Sequence, residues 1–115
     1  MTDYPQIAKS YQSGMADLAA EVPDTVDWFT ALVQTCTADG ELSVKVKELI
    51  AFSIAITARC DGCSAHHAKA VRDARASRKE VAEMIGVAVL MGGGPSSVYG
   101  VEALRAFDAF GEQQG

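Results

Sequence analysis

Apolar positions recur along this chain with a period near 3.6 residues, broken by short polar or glycine-rich stops. That period places apolar side chains on one face of a helix. The stretch from Tyr4 to Ala20 carries a loose version of it and stops at Glu21-Val22-Pro23. Asp24 or Thr25 offers a short side-chain oxygen to cap the next helix. That helix carries Val26, Phe29, Leu32, Val33 and Cys36 at helical spacing and is expected to end near Asp39-Gly40. Ser43 is placed to cap a third helix running to about Ala58. This segment (Val44, Val46, Leu49, Ile50, Phe52, Ile54, Ile56) is apolar on most sides, so a helix there is expected to be buried all round. Its β-branched content also permits a strand.

A fourth helix is expected from the cysteine pair at Cys60 and Cys63 to about Ala74. Ser77-Arg78-Lys79-Glu80 is a capping box that opens a fifth helix through Met91. Gly92-Gly93-Gly94-Pro95 breaks the chain, and Pro95 suits the first turn of a sixth helix because its missing N–H is not needed there. The expected fold is therefore all-α, about six helices in one domain spanning residues 1–115, with no repeat and no linker. Two central segments that are apolar on most faces are hard to bury within one small domain. A homo-oligomer that shares them is the expected solution, and a monomer with an apolar surface the alternative.

Charge and composition narrow the classes. Ten Lys and Arg against fifteen Asp and Glu give a net charge of -5, without any basic run, which argues against nucleic acid as a partner. The longest apolar stretches, Leu49 to Ala58 and Val81 to Met91, fall well short of the roughly 20 residues a bilayer crossing needs. The polar start carries no secretory pattern, so a soluble, cytoplasmic protein is expected, without a membrane partner. In a reducing compartment a close cysteine pair points to catalysis or metal binding rather than to a permanent staple.

The candidate chemistry sits in Glu48-x11-Cys60-x2-Cys63-x3-His67. Positions three and four apart share one helix face, so Cys60, Cys63 and His67 line up. The thiolate is the nucleophile, and two features favour it here: the positive end of a helix and a histidine able to take the proton. Along one continuous helix Glu48 would lie about 18 Å from Cys60, out of reach. A reversal near Ala58 to Cys60 puts Glu48 about 16 Å before the bend and His67 about 10 Å after it, an axial offset of about 6 Å. Glu48 would then orient His67, and a Glu within an apolar helix needs such a partner.

Other readings stay open. A structural zinc site would use Cys60, Cys63 and His67 with His66 or Cys36 as fourth ligand, although one helix spans tetrahedral geometry poorly. The two cysteines could be buried and inert. Glu48 could instead be solvated or paired with Lys45 or Lys47. His66 reads as a surface or interface residue, Cys36 as a small core residue, Met84 and Met91 as core, and Trp28 with Phe29 as packing.

Four stretches together resemble the carboxymuconolactone decarboxylase / alkylhydroperoxidase D (AhpD-like) superfamily. They are Lys47-Glu48-Leu49-Ile50-Ala51-Phe52, Cys60-x-x-Cys63-x-x-x-His67, Glu80-Val81-Ala82-Glu83-Met84-Ile85 and Met91-Gly92-Gly93-Gly94-Pro95. The resemblance spans about residues 42–110, three fifths of the chain, and the Glu-Cys-Cys-His spacing is its specific part. It implies an all-helical AhpD-like homo-oligomer, typically a homotrimer or homohexamer, with peroxidase (peroxiredoxin-type) or disulfide reductase activity. It further implies that Cys63 attacks the peroxide and becomes a sulfenic acid. Cys60 would give a proton and then resolve it as a disulfide, and Glu48 and His67 would form the proton relay. No cofactor and no metal is implied beyond the redox-active Cys60–Cys63 pair. The implied partners are a hydroperoxide or disulfide substrate and an external dithiol reductant, lipoyl-type or a peroxiredoxin. Lactone decarboxylation, the superfamily's other activity, and a non-enzymatic metal-binding or redox-sensing oligomer are the alternatives. Three features depart from the superfamily's habit: Gly62 before the second cysteine, which leaves the thiol more open, Arg75 at a turn that commonly carries glycine, and a single short repeat.

Overall fold

Capping chemistry sets most of the element boundaries in the computed structural model, which describes residues 2–114. Six α-helices and no strand are present among the described residues: α1 (Tyr4–Glu21), α2 (Pro23–Thr37), α3 (Val44–Ala58), α4 (Asp61–Asp73), α5 (Arg78–Gly92) and α6 (Gly94–Gln114). The all-α expectation holds, and the strand alternative for 44–58 is excluded. Asp3 opens α1 by accepting the Gln6 N–H at 3.1 Å. Ser43 opens α3 by accepting the Val46 N–H at 3.2 Å. At α5 the capping box closes in both directions: the Glu80 N–H donates to Ser77 Oγ at 3.0 Å and the Ser77 N–H to Glu80 Oε1 at 2.8 Å.

The start of α2 differs from expectation. Val22 is its N-cap and gives no side-chain hydrogen bond, while Pro23 takes the first helical position. Proline's fixed φ is preorganised there, so the helix starts ahead of Asp24 and Thr25. Asp24 falls in the first turn, where its charge meets the positive end of the helix. The helix also ends earlier than expected, at Thr37. Lys47 Nζ then donates to the Ala38 carbonyl at 2.6 Å and ties this end to α3.

Two helices end on the same left-handed turn. After α3, Arg59 takes φ 57° and ψ 45°, with its N–H on the Ile56 carbonyl and the Cys60 N–H on that of Ala55. After α4, Arg75 takes φ 66°, with its N–H on Arg72 O and the Ala76 N–H on Val71 O. Both follow the hydrogen-bond pattern of a Schellman close, a position that glycine usually fills. Between α5 and α6 the reversal is a single residue, Gly93, at φ 71°.

The core lies between α3, α4, α5 and α6, with Tyr4 of α1 at its edge. Phe52, Ile56, Val71 and Val81 are fully buried, surrounded by Ala65, Ala68, Ala103, Ala106, Phe107 and Phe110. Each large side chain of this set contributes about 1.5–3 kcal/mol of burial free energy. Alanines on facing sides let α4 and α6 approach closely. Arg72 of α4 lies on the Phe107 ring, 3.9 Å from its centroid, and donates to the Phe107 carbonyl through Nε and Nη2 at 3.0 and 2.8 Å. At Gly111 a Cβ would come within 2.6 Å of that guanidinium, so glycine is what leaves it room.

Three expectations about burial are corrected. The α3 helix is not buried all round: Glu48, Phe52, Ala55 and Ile56 face inward, whereas Ile50 and Ile54 are exposed, because the other helices of the chain cover only one side. No α2 residue is buried, so Cys36 is an exposed free thiol and Trp28 is 80% exposed. That helix meets α1 and only the margin of α3, and it has no core face. Met91 is 79% exposed: α5 buries Val81 and Ala88, and Val87, Leu90 and Met91 point the other way. Met84 does pack on the core.

Candidate functional site

The chain reversal at Arg59 delivers the site. It turns α4 back alongside α3, so that Glu48 and His67, nineteen residues apart, come together with Glu48 Oε2 2.8 Å from His67 Nδ1. Glu48 is 6% exposed, and the flanking lysines are engaged elsewhere. Lys45 Nζ meets Glu80 Oε2 at 2.8 Å, and Lys47 holds the Ala38 carbonyl. The solvated or lysine-paired reading of Glu48 is therefore excluded. An ionised carboxylate only accepts hydrogen bonds, so Nδ1 carries the proton and Nε2 is left as the basic nitrogen of His67.

Cys60 and Cys63 flank the first turn of α4, with Cα atoms 5.2 Å apart and their sulfurs joined in a disulfide. Cys60 is the N-cap, and its Sγ accepts the Cys63 N–H at 3.1 Å. The sulfur that caps a helix sits at its positive end, where a thiolate is favoured. Cys60 is partly buried and Cys63 exposed. The two cysteines are bonded to each other and Cys63 is exposed, so they are not a buried, separate pair. Among the described residues no group of three or more His, Cys, Asp or Glu side chains is placed to hold a metal ion.

A cleft of about 360 Å³ opens over this pair. Cys60, Gly62, Cys63, His66 and His67 form its floor on α4, and Tyr11 of α1 with Phe29 and Val33 of α2 form its walls. The size lies at the lower end of small-ligand sites, and the walls are mostly apolar. At Gly62 a Cβ would meet nothing within 4 Å, so the floor beside Cys63 is open. His66 stands perpendicular to His67, ring centroids 4.8 Å apart. Desolvation by the surrounding protein, and next the neighbouring His67, hold the His66 pKa below the ordinary imidazole value, against an opposing pull from Glu48.

The sequence model of the carboxymuconolactone decarboxylase family matches residues 23–106. The chain belongs to this family. A crystal structure of apo-lpg0406, a carboxymuconolactone decarboxylase family protein from Legionella pneumophila, superposes with a TM-score of 0.91 at 40% identity, covering 93% of this chain and 96% of that one. An uncharacterized protein of Cupriavidus necator is 38% identical over 87 residues, 76% of this chain and 77% of its own length. An uncharacterized protein of the Paracoccus denitrificans cox locus is 34% identical over 82 residues, 71% of this chain and 74% of its own length.

The family match begins at Pro23, ahead of the 42–110 stretch that carries the resemblance, and so takes in α2 and its two cleft residues. All four residues of the Glu-Cys-Cys-His motif are brought together. Cys36 is not among the cleft walls. Sequence reasoning missed Tyr11, Phe29 and Val33 as walls and His66 as a floor residue. For His66 a signal was available, because it lies three positions from Cys63, on the helix face that carries the thiols.

Proposed function

We propose that the protein is a thiol-dependent peroxidase and disulfide reductase that cycles through the Cys60–Cys63 disulfide. The observation that carries this reading is the juxtaposition in one cleft of that disulfide with a histidine whose Nδ1 is held by a buried glutamate. In the reduced protein His67 Nε2 takes the proton of Cys63. The thiolate attacks the outer oxygen of a hydroperoxide, the O–O bond breaks, and the alkoxide leaves with a proton from the relay. Cys63 is then a sulfenic acid. Cys60 attacks its sulfur, water leaves, and the disulfide forms. An external dithiol, of lipoyl type or on a peroxiredoxin, returns both thiols. The dithiol itself takes the place of a bound cofactor. The outward apolar side chains of α3 and α5 (Ile50, Ile54, Val87, Leu90, Met91) support assembly as a homotrimer or homohexamer, which sedimentation velocity measures directly. No helix among the described residues is long and apolar enough to cross a membrane.

The deciding experiment is a thiol count on the reduced protein before and after one equivalent of tert-butyl hydroperoxide, with mass mapping of bridged peptides. Loss of two thiols with a Cys60–Cys63 link is expected. Three unreacted thiols would remove the peroxidase reading. Family membership itself favours a second reading, lactone decarboxylation. That chemistry has no need of paired thiols, so a Cys60→Ser/Cys63→Ser variant that turned over a carboxymuconolactone at the parent rate would select it.

A further inference from the structure

Two histidines share the cleft with the disulfide, and they are not equivalent. His67 is committed: its Nδ1 is bound by a buried carboxylate and its ring is largely covered. Among the described residues no carboxylate is hydrogen-bonded to His66, whose ring is exposed on the cleft floor three positions from Cys63. The cycle proposed above uses one base to ionise Cys63. It needs a base again when the disulfide is reduced, because the incoming thiol must itself be ionised before it can attack. A dithiol entering between Tyr11, Phe29 and Val33 meets an otherwise apolar wall, and His66 is the exposed base on the floor it reaches.

We propose that His66 is the base for the reductive half of the cycle, so that two adjacent histidines divide the work, His67 serving the enzyme's thiol and His66 the reductant's. The inference rests on the dithiol cycle proposed above. His66 takes a proton from one thiol of the reductant. The thiolate attacks Cys63 Sγ, the exposed sulfur, and the Cys60–Cys63 bond breaks. Cys60 leaves as a thiolate, stabilised by the Cys63 N–H and the helix end, and takes the proton from His66. The reductant's second thiol attacks the mixed disulfide and its proton passes to Cys63, which is released as the thiol, leaving the reductant as a disulfide. Two electrons pass from the dithiol to the protein. The charged and titratable groups around His66 are His67 and Lys69 on α4, Glu48 on α3 and Tyr11 on the α1 wall. Their net effect with desolvation keeps the ring neutral to lower pH than a free imidazole, as a base requires.

The test separates the half-reactions. The disulfide form, made with diamide so that no peroxide is involved, is reduced by dithiothreitol or dihydrolipoamide in a rapid-quench thiol assay. The pre-reduced form is oxidised separately by tert-butyl hydroperoxide. At about pH 6.5, where a free thiol is almost wholly protonated, His66→Gln and His66→Asn are expected to slow reduction about 10²-fold. Their oxidation by peroxide should slow far less than their reduction, because His67 ionises Cys63 in that half. As pH rises toward the reductant's own thiol pKa, the reduction deficit should close, since the reductant then ionises unaided. Parent-like reduction at pH 6.5, equal slowing of both halves, or a deficit that does not vary with pH each overturns the proposal. If the parent is not oxidised by peroxide, the peroxidase reading fails while the reduction data still judge His66.

Discussion

The turn at Arg59 and the turn at Arg75 are built alike and do different things. Each ends a helix, places an arginine in the left-handed region, and closes with the same pair of backbone hydrogen bonds. The first leads directly into Cys60, so its angle decides whether Glu48 meets His67 and where the α4 N-terminus presents its sulfurs. The second leads through Ala76, which is buried in the core, into the Ser77 capping box, with no buried polar group in its path. One turn is therefore coupled to the site and the other only to stability. The comparison can be broken at either side, and the expected effects differ in size.

The largest effect lies beyond the first turn. Glu48→Gln keeps the shape and an acceptor for His67 Nδ1–H but removes the charge that holds an imidazolium. The rate of Cys63 oxidation by peroxide should fall about 10²-fold, in stopped-flow measurements on reduced protein, with a parent-like thermal unfolding midpoint. A parent-like oxidation rate would mean that the buried pair is structural and that the Arg59 turn serves no proton relay.

Next come the turns themselves. Arg59→Val and Arg75→Val put a β-branched residue where the left-handed conformation is most strained, adding a loss to the penalty of about 1–2 kcal/mol that an ordinary residue such as arginine already bears there. Urea unfolding should show similar losses at both sites. Only the Arg59 variant should also lose peroxide-dependent thiol oxidation, because a relaxed turn moves α4 against α3. If both variants lost activity in proportion to stability alone, the distinction between the turns would be void.

What was legible in the sequence follows the same division between local and long-range chemistry. Ser43 and the Ser77–Glu80 box bond to backbone within three residues, and both caps lie where the side chains announce them. Arithmetic on helix rise brings Glu48 and His67 within reach once the chain reverses at Ala58 to Cys60, and the contact in the structure agrees. Helical spacing says which residues share a face and not what that face meets. Cys36 and Met91 share faces with apolar neighbours, but those faces are open to solvent in this chain. The cleft walls were hidden for the same reason. Tyr11 and Phe29 reach Cys63 only through the packing of α1 on α4 and of α2 on α1, across some 30 to 50 residues of sequence. Pro23 both stops the first helix and starts the second, and a stop signal in sequence does not by itself announce the start that follows it.

A smaller effect belongs to the element that follows the second turn. Ser77→Ala removes the acceptor for the Glu80 N–H while leaving the loop exposed, and should cost about 1 kcal/mol. Peroxide oxidation of the thiols should be unchanged, since neither residue lines the cleft. A loss of activity without loss of stability would show that the start of α5, which Lys45 joins to α3 through Glu80, acts on the site after all.

The smallest expected effect has the opposite sign. Arg75→Gly relieves a non-glycine residue at φ 66°, and against that gain stands the larger entropy of glycine in the unfolded chain. The left-handed penalty for an ordinary residue is about 1–2 kcal/mol, and the entropic cost of glycine is about 0.5–1 kcal/mol. A net gain of about 0.5 kcal/mol is therefore expected, small enough to need paired denaturant curves. Arg59→Gly should gain the same amount at equilibrium. Its added freedom, however, lies one residue before Cys60, so the rate at which Cys60 resolves the Cys63 sulfenic acid should fall in that variant and not in Arg75→Gly. Equal resolution rates in the two glycine variants would show that the α4 N-terminus is held by its packing against α1 and α6, and that the left-handed turn is merely the shape the chain takes on the way there.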